Sequence, residues 1–473
     1  MSLPLADDEE KGKRFSCGCP EYISPSRNYG IDALRIVAMM MVLILHLLAS
    51  IDVLSLENHG SASYNVGWLL EIAAYCGVNC YALITGYVCC DGTFRYERVV
   101  SLWFQVVFYT WGSLLLALLF FPQEVQLSNI LHSLFPVLSG QYWYVTAYVG
   151  LFFFIPFLNA LGNRLTKLQF QYLLVTVFVL FSVIPTLLHT DVFPVEEGYS
   201  IWWLGILYML GMYVKKHGLL TEMKTRPLWM FYAGFVCFAW VFKMVLNVVS
   251  PYLIGQIKGG GMFIRYNSPF IVGTAVALLL IFSRMHFSSR RAVSCISWLA
   301  AASFSVYVLH CNALIGKWFL WDVFEWAASS SSALMVVNVL AIAAVVYAGC
   351  ALVDSVRRYL FKLMNVERGA RAVTGFCGKL GHAFRKMCRR IDSHPKDEGM
   401  SCSGGSGRFL SGARLVFIIA FIQEGFKPGN DQVFFEEMVA RVHIGETEKG
   451  VPVQTCGQLA AVPALGRVRK PGL

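Results

Sequence analysis

The sequence predicts an all-α, polytopic membrane protein with about ten transmembrane helices, and three observations carry that prediction. Hydrophobic residues make up 56% of the 473 and charged residues only 14%, where soluble globular proteins average about 25% charged. The mean hydropathy of +0.57 is more apolar surface than a water-facing fold can hide. Lysine and arginine also alternate between the loops that separate the apolar runs.

Runs long and apolar enough to cross a bilayer, about 20 residues each, fall near 30–50, 66–90, 99–121, 142–160, 169–188, 201–214, 228–250, 267–283, 295–316 and 333–353. The sixth is short. Cations cluster in the N-terminal tail (Lys11, Lys13, Arg14, Arg27), then at Arg95 and Arg98, and at Arg164 and Lys167. They return at Lys215, Lys216, Lys224 and Arg226, at Arg284, Arg290 and Arg291, and at Arg357, Arg358 and Lys362. The intervening loops hold only Lys258, Arg265 and Lys317, with acids such as Glu57, Asp191, Glu196 and Glu197. Cytoplasmic loops are the cation-rich ones, so both termini are expected in the cytoplasm.

The expected organisation is a cytoplasmic tail over 1–28, a transmembrane domain over 29–355, and a basic cytoplasmic tail over 356–473. The first tail is polar and does not read as a signal peptide. The last contains "SCSGGSG", which reads as a flexible linker, and "RLVFIIAFI", too short to span. No basic patch interleaved with aromatics lies outside the apolar runs, so nucleic acid is not an expected partner. The fourteen cysteines form no pair of CxxC motifs and no His/Cys cluster with zinc spacing. No metal is expected, and cysteines such as Cys76 and Cys80 read as small packing residues.

The first run, "YGIDALRIVAMMMVLILHLLAS", carries Asp32, Arg35 and His46. Ionisable groups inside a membrane helix are expensive and are functional candidates by default. Arg35 and His46 are eleven residues apart, close to three helical turns, so they share a face about 16 Å long. Asp32 lies one turn before Arg35 on nearly the same stripe. Of the ten histidines, only His46 and His310 fall inside the runs. The charge pattern puts both in the outer half, with Glu71 at about the same level. A histidine oriented by a carboxylate is the usual general base, so His46, Glu71 and His310 are the catalytic candidates if their helices are neighbours. A neutral imidazole bonded to a neighbouring helix is the plainer alternative for each histidine. Arg95 and Arg98 join Arg35 at the inner rim, where topology alone also accounts for the first two. The aromatics of "QYWYVTAY", Trp143, Tyr144 and Tyr148 among them, serve either to stack on a sugar or as an interfacial belt.

Four segments carry a further signal. They are "IDALRIVAMMMVLILH", with an Arg-x10-His interval; "CYALITGYVCCDGTFRYERVV", with an Arg-x-x-Arg pair; "GQYWYVTAYVGLFFFIPFLN"; and "AASFSVYVLHCN". In this order they resemble the acyltransferase-3 family of bacterial integral-membrane O-acyltransferases, over residues 28 to about 355. Thr85 stands where the family usually has serine, and the proline often found after the paired arginines is absent. The resemblance implies ten core helices in a bacterial cytoplasmic (inner) membrane. It implies transfer of an acyl group, usually acetyl, from cytoplasmic acyl-CoA such as acetyl-CoA to a hydroxyl. The acceptor is a cell-envelope carbohydrate or glycolipid. It also makes His46 the catalytic base and gives Arg35, Arg95 and Arg98 to the acyl donor.

The residues suit that chemistry. Arginines at the inner rim, with Asp32 beside Arg35, match the donor's phosphates, and the stripe leads its thin arm towards His46. A transporter or flippase using Arg35, His46 and Glu71 as a polar relay is the alternative, though no inverted repeat and no pair of broken helices is visible. A non-catalytic scaffold would have no need of the polar stripe.

Overall fold

A computed structural model of the chain describes residues 27–55, 58–92, 95–137, 139–255, 257, 260–316, 324, 326–327 and 331–375. The chain divides into two units, Met1–Gly399 and Met400–Leu473, and every described residue belongs to the first. The N-terminal tail with Lys11, Lys13 and Arg14 lies outside the described residues, as do Glu57, Lys258, Lys317, the Ser/Gly linker and "RLVFIIAFI".

The described residues are helical, with no strand among them. Each of the ten expected runs falls on helix, and among the described residues eight helices are long and apolar enough to cross a bilayer. These are Tyr29–Ser50 (α1), Ala62–Cys89, Glu97–Phe120 (α4), Trp143–Arg164 (α6), Lys167–Leu188, Thr225–Leu253, Arg290–His310 (α12) and Ser332–Leu363 (α14). Two shorter helices, Ile201–His217 (α9) and Pro269–Ser283 (α11), occupy the remaining runs. A short helix, Leu127–Leu134 (α5), precedes α6. The seventh run is helical over Thr225–Ile254 (α10). The chain is a multi-pass membrane protein. Its exposed apolar side chains, such as Leu115 and Leu119 on α4 and Val345 on α14, form the faces a bilayer would cover.

Two runs are not the continuous helices the sequence suggested. The second is broken into Ala62–Ala74 (α2) and Gly77–Cys89 (α3). At the break the Tyr75 amide turns to the carbonyl of Ile72, three residues back. The Ala73 carbonyl accepts instead from the Tyr232 hydroxyl at 2.8 Å, so a backbone acceptor freed inside the membrane is still satisfied. The fifth run passes through a π-helical turn, Val179–Val183, between Lys167–Phe178 (α7) and Ile184–Leu188 (α8).

The helix α1 sits at the centre, packed on α2, α3, α11, α12 and α14. Its start is fixed by Asn28, whose side-chain oxygen accepts from the Gly30 and Ile31 amides at 2.9 and 3.3 Å. The Asn28 amide donates to the Ser283 carbonyl of α11, so the cap also ties two helices. The helices α3 and α9 meet backbone to backbone. A Cβ on Gly86 would lie 1.9 Å from the Tyr208 carbonyl oxygen, and one on Gly211 would lie 2.1 Å from that of Leu83. Small residues let membrane helices meet backbone to backbone. Within the same contact, the fully buried Asn79 donates to the Tyr266 carbonyl at 2.7 Å and accepts from Trp203 Nε1 at 3.4 Å.

Gly86→Ala is therefore expected to destabilise by about 1–3 kcal/mol, the usual penalty for overpacking, although alanine is ordinarily the better helix former. Gly112→Ala in α4, where an added Cβ meets nothing within 4 Å, should gain roughly 0.5–1 kcal/mol. Thermal denaturation in detergent reads both; equal shifts in the two variants would contradict the close packing of α3 on α9.

Candidate active site

One cavity of about 330 Å³ runs beside α1. Its α1 wall is Arg35, Met39, Val42, Leu45 and His46, the stripe that three- and four-residue steps place on one helical face. Between its two charged or titratable ends this wall is apolar, so the stripe is polar at the termini of the cavity and not along its length. The break before α3 brings Val78, Tyr81, Ile84 and Thr85 to the opposite side, and α6 adds Trp143, Tyr144 and Tyr148. From α12 come the small Ala300 and Ala301, then Ser303, Phe304 and Tyr307.

At one end, Asp32 is 2% exposed and holds two arginines, Arg27 Nε at 2.5 Å and Arg35 Nη1 at 2.6 Å. Asp32 does not line the cavity; it fixes the guanidinium of Arg35 at the mouth. Tyr81 adds a second restraint on the same turn, donating its hydroxyl to the Arg35 carbonyl at 2.7 Å. Arg98 is exposed, but Arg35 and Arg98 both act electrostatically on Cys89 and Tyr148 of the cavity wall. Arg95 is exposed just before α4, and the structure does not bring it into the cavity.

At the other end the two intramembrane histidines meet. His310 Nδ1 lies 2.6 Å from the Val306 carbonyl oxygen, and His310 Nε2 lies 2.9 Å from His46 Nδ1. A carbonyl only accepts, so His310 carries its proton on Nδ1. A neutral imidazole has one N–H, which makes His310 Nε2 an acceptor and His46 Nδ1 its donor. The remaining nitrogen of His46, Nε2, therefore carries a lone pair. A base held in one tautomer by a second group is the arrangement that proton abstraction requires.

Glu71 belongs elsewhere. It sits on α2 with the cation Lys243 of α10 acting on it, and Lys243 Nζ lies 3.5 Å over the Trp68 ring. The expected orientation of His46 by Glu71 is replaced by orientation from His310. The reason is geometric: α2 turns Trp68 and Glu71, one turn apart, towards α10, whereas His46 faces α12. Trp143, Tyr144 and Tyr148 do share the cavity, within a ring cluster that includes Tyr81, Tyr199 and Tyr266.

Several residues escaped the sequence. Cys311 Sγ lies 3.4 Å from His310 Nε2 and 3.6 Å from His46 Nδ1. The three donors fall within 4.8 Å of one another, a spacing that a metal ion could bridge, although the N···N hydrogen bond already accounts for it. Lys243 was legible as a lone cation inside an apolar run, and Tyr307 as a tyrosine one turn before His310 in "AASFSVYVLHCN". A second buried cluster surrounds Asp354, which is fully buried on α14. It accepts from Tyr109 at 2.7 Å, Ser305 at 2.5 Å and Arg357 at 2.8 Å, and pairs with Arg358 at 2.9 Å. Gln105, a cavity residue, donates to Ser305 at 2.7 Å, so this cluster braces one wall.

A family model described as an acyltransferase domain matches residues 28–354. The chain belongs to the acyltransferase-3 family. The matched stretch runs from α1 into α14 and takes in both ends of the cavity, so the protein is a membrane acyltransferase and the cavity is its candidate active site. No curated protein and no solved structure matches the chain.

Removing a buried carboxylate that holds the buried Arg357 leaves uncompensated charge, so Asp354→Ala should lose about 3–5 kcal/mol. Chemical or thermal unfolding checks this; a loss under about 1 kcal/mol would mean that the ion pairs are already solvated.

Proposed function

We propose that the protein is an O-acyltransferase that moves an acyl group, in the first place acetyl, from cytoplasmic acyl-CoA to a hydroxyl of a cell-envelope carbohydrate. The observation that carries this reading is that one cavity has the ion-paired Arg35 at one end and the tautomer-fixed His46 at the other. Acyl-CoA has the matching form: phosphates at one end, a thin arm, and a thioester at the tip. Arg35 and Arg98 meet the phosphates. Met39, Val42, Ala300 and Ala301 form a smooth, narrow passage for the arm. The loop cations, dense on the Arg35 side, support a cytoplasmic mouth with both termini on the same side.

The chemistry needs one proton moved twice. His46 Nε2 takes the proton of the sugar hydroxyl as its oxygen attacks the thioester carbon. The imidazolium, stabilised through Nδ1–H on His310, then returns it to the departing thiolate. Trp143 and Tyr148 supply aromatic surface for the sugar. The host membrane is the bacterial cytoplasmic (inner) membrane, and no metal takes part in this scheme. The break between α2 and α3 is the one feature that a transporter would share. In that reading Arg35 and His46 relay a proton, and flux without acyl transfer is its signature.

Purified protein with labelled acetyl-CoA and an envelope glycan fraction tests the scheme. His46→Ala should lower kcat by about 10²–10⁴. Arg35→Ala should raise KM for acetyl-CoA by roughly tenfold or more, the usual weight of a charge-assisted hydrogen bond, with a smaller effect on kcat. Transfer that survives His46→Ala would remove the base. His310→Ala should lower kcat by about 10–100-fold without changing donor KM, because only the orientation of His46 is lost.

A further inference from the structure

The scheme above leaves one charge without a partner. When the sugar oxygen attacks, the thioester C=O bond opens and its electron pair moves to the carbonyl oxygen. Such an oxyanion, formed away from water, needs a preorganised donor. Among the described residues, the hydroxyl of Tyr144 is buried and has no hydrogen-bond partner, although its ring lines the cavity. An unsatisfied buried donor is destabilising, so its retention here asks for a reason.

Its position supplies one. Ring centroids connect Tyr144 to Tyr307 at 6.1 Å, Tyr307 to His310 at 6.0 Å, and His310 to His46 at 5.0 Å. Tyr307 precedes His310 by one turn of α12, on the side that leads to Arg35. Tyr144 also lies 6.2 Å, ring to ring, from Tyr81, whose hydroxyl is bonded beside Arg35. The Tyr144 ring thus links the Arg35 end of the cavity to the histidine pair, along the path that a thioester on its way to His46 would follow. Of its ring neighbours, Tyr81 already gives its hydroxyl proton to the Arg35 carbonyl.

We propose that Tyr144 is a catalytic residue whose hydroxyl donates a hydrogen bond to the developing thioester oxyanion. The sugar O–H proton goes to His46 Nε2, a C–O bond forms, and the carbonyl electron pair rests on oxygen against Tyr144 O–H. Collapse then re-forms C=O, breaks C–S, and expels the thiolate, which takes the proton from His46. This assignment rests on the base reading of His46 and moves Tyr144 from acceptor binding to the reacting carbonyl.

The test is steady-state kinetics of the full-length protein in detergent, with Tyr144→Phe and His46→Ala assayed together. Two readouts serve: transfer from acetyl-CoA to an envelope glycan fraction, and acetyl-CoA hydrolysis by water without acceptor, which forms the same oxyanion. Tyr144→Phe should lower kcat about 10²–10³-fold in both, leave KM for acetyl-CoA within about twofold (a change under one hydrogen bond's worth), and leave the melting temperature equal or higher. Fluorotyrosine at position 144, a stronger donor, should restore kcat. Unchanged kcat in Tyr144→Phe, a loss confined to KM for the glycan, or no rescue by fluorotyrosine overturns the proposal. If His46→Ala also keeps its activity, the base reading has failed as well; if it is inactive while Tyr144→Phe is active, only the oxyanion role has failed.

Discussion

The Val306 carbonyl can only accept a hydrogen bond, and the state of both histidines follows from that constraint. It assigns Nδ1–H to His310, which makes His310 Nε2 the acceptor for His46 and leaves the lone pair of His46 on Nε2. In water, either ring would exchange tautomers freely. In a dry helix bundle the hydrogen-bond partners decide. A single backbone oxygen of α12 therefore selects which nitrogen of His46 on α1 carries the lone pair.

That selection works only if α1 and α12 keep their register, which the rest of the fold ensures. Asn28 ties the start of α1 to α11, and Asp32 ties its first turn to Arg27 and Arg35. On the other side, Asp354 holds α14 to α4 and α12 through Tyr109 and Ser305. The backbone contact of α3 with α9 at Gly86 and Gly211 sets the wall that faces α1. The break between α2 and α3 then places Val78 and Tyr81 in the cavity while Trp68 and Glu71 turn away towards Lys243. Rigid elements on all sides let one cavity hold an ion-paired arginine and a tautomer-fixed histidine about 16 Å apart.

Much of this was legible in the sequence because helical periodicity is local. The eleven-residue interval from Arg35 to His46 placed both on one face without any knowledge of the neighbours, and both line the cavity. Apolar runs and loop cations likewise gave the helices in order. Pairing between helices is not local, and there the sequence misled. Glu71 had the right depth to orient His46, but depth does not fix azimuth, and its helix points it at Lys243. The break at Tyr75 and Cys76 was hidden because no proline marks it; it is stabilised by Tyr232, more than 150 residues away in the chain. Asp354 lay one residue past the expected last run. Tyr144 read equally well as an aromatic belt residue until its hydroxyl proved to be buried without a partner.

The central claim is that the donor enters beside Arg35 and presents its thioester to His46. A cryo-EM structure with a non-transferable thioether analogue of acetyl-CoA tests this most directly. The account predicts phosphates against Arg35 and Arg98, the arm along Met39 and Val42, and the acyl carbon separated from His46 Nε2 by room for one hydroxyl. An analogue bound outside this cavity, or with its sulfur left at the Arg35 mouth, would contradict it.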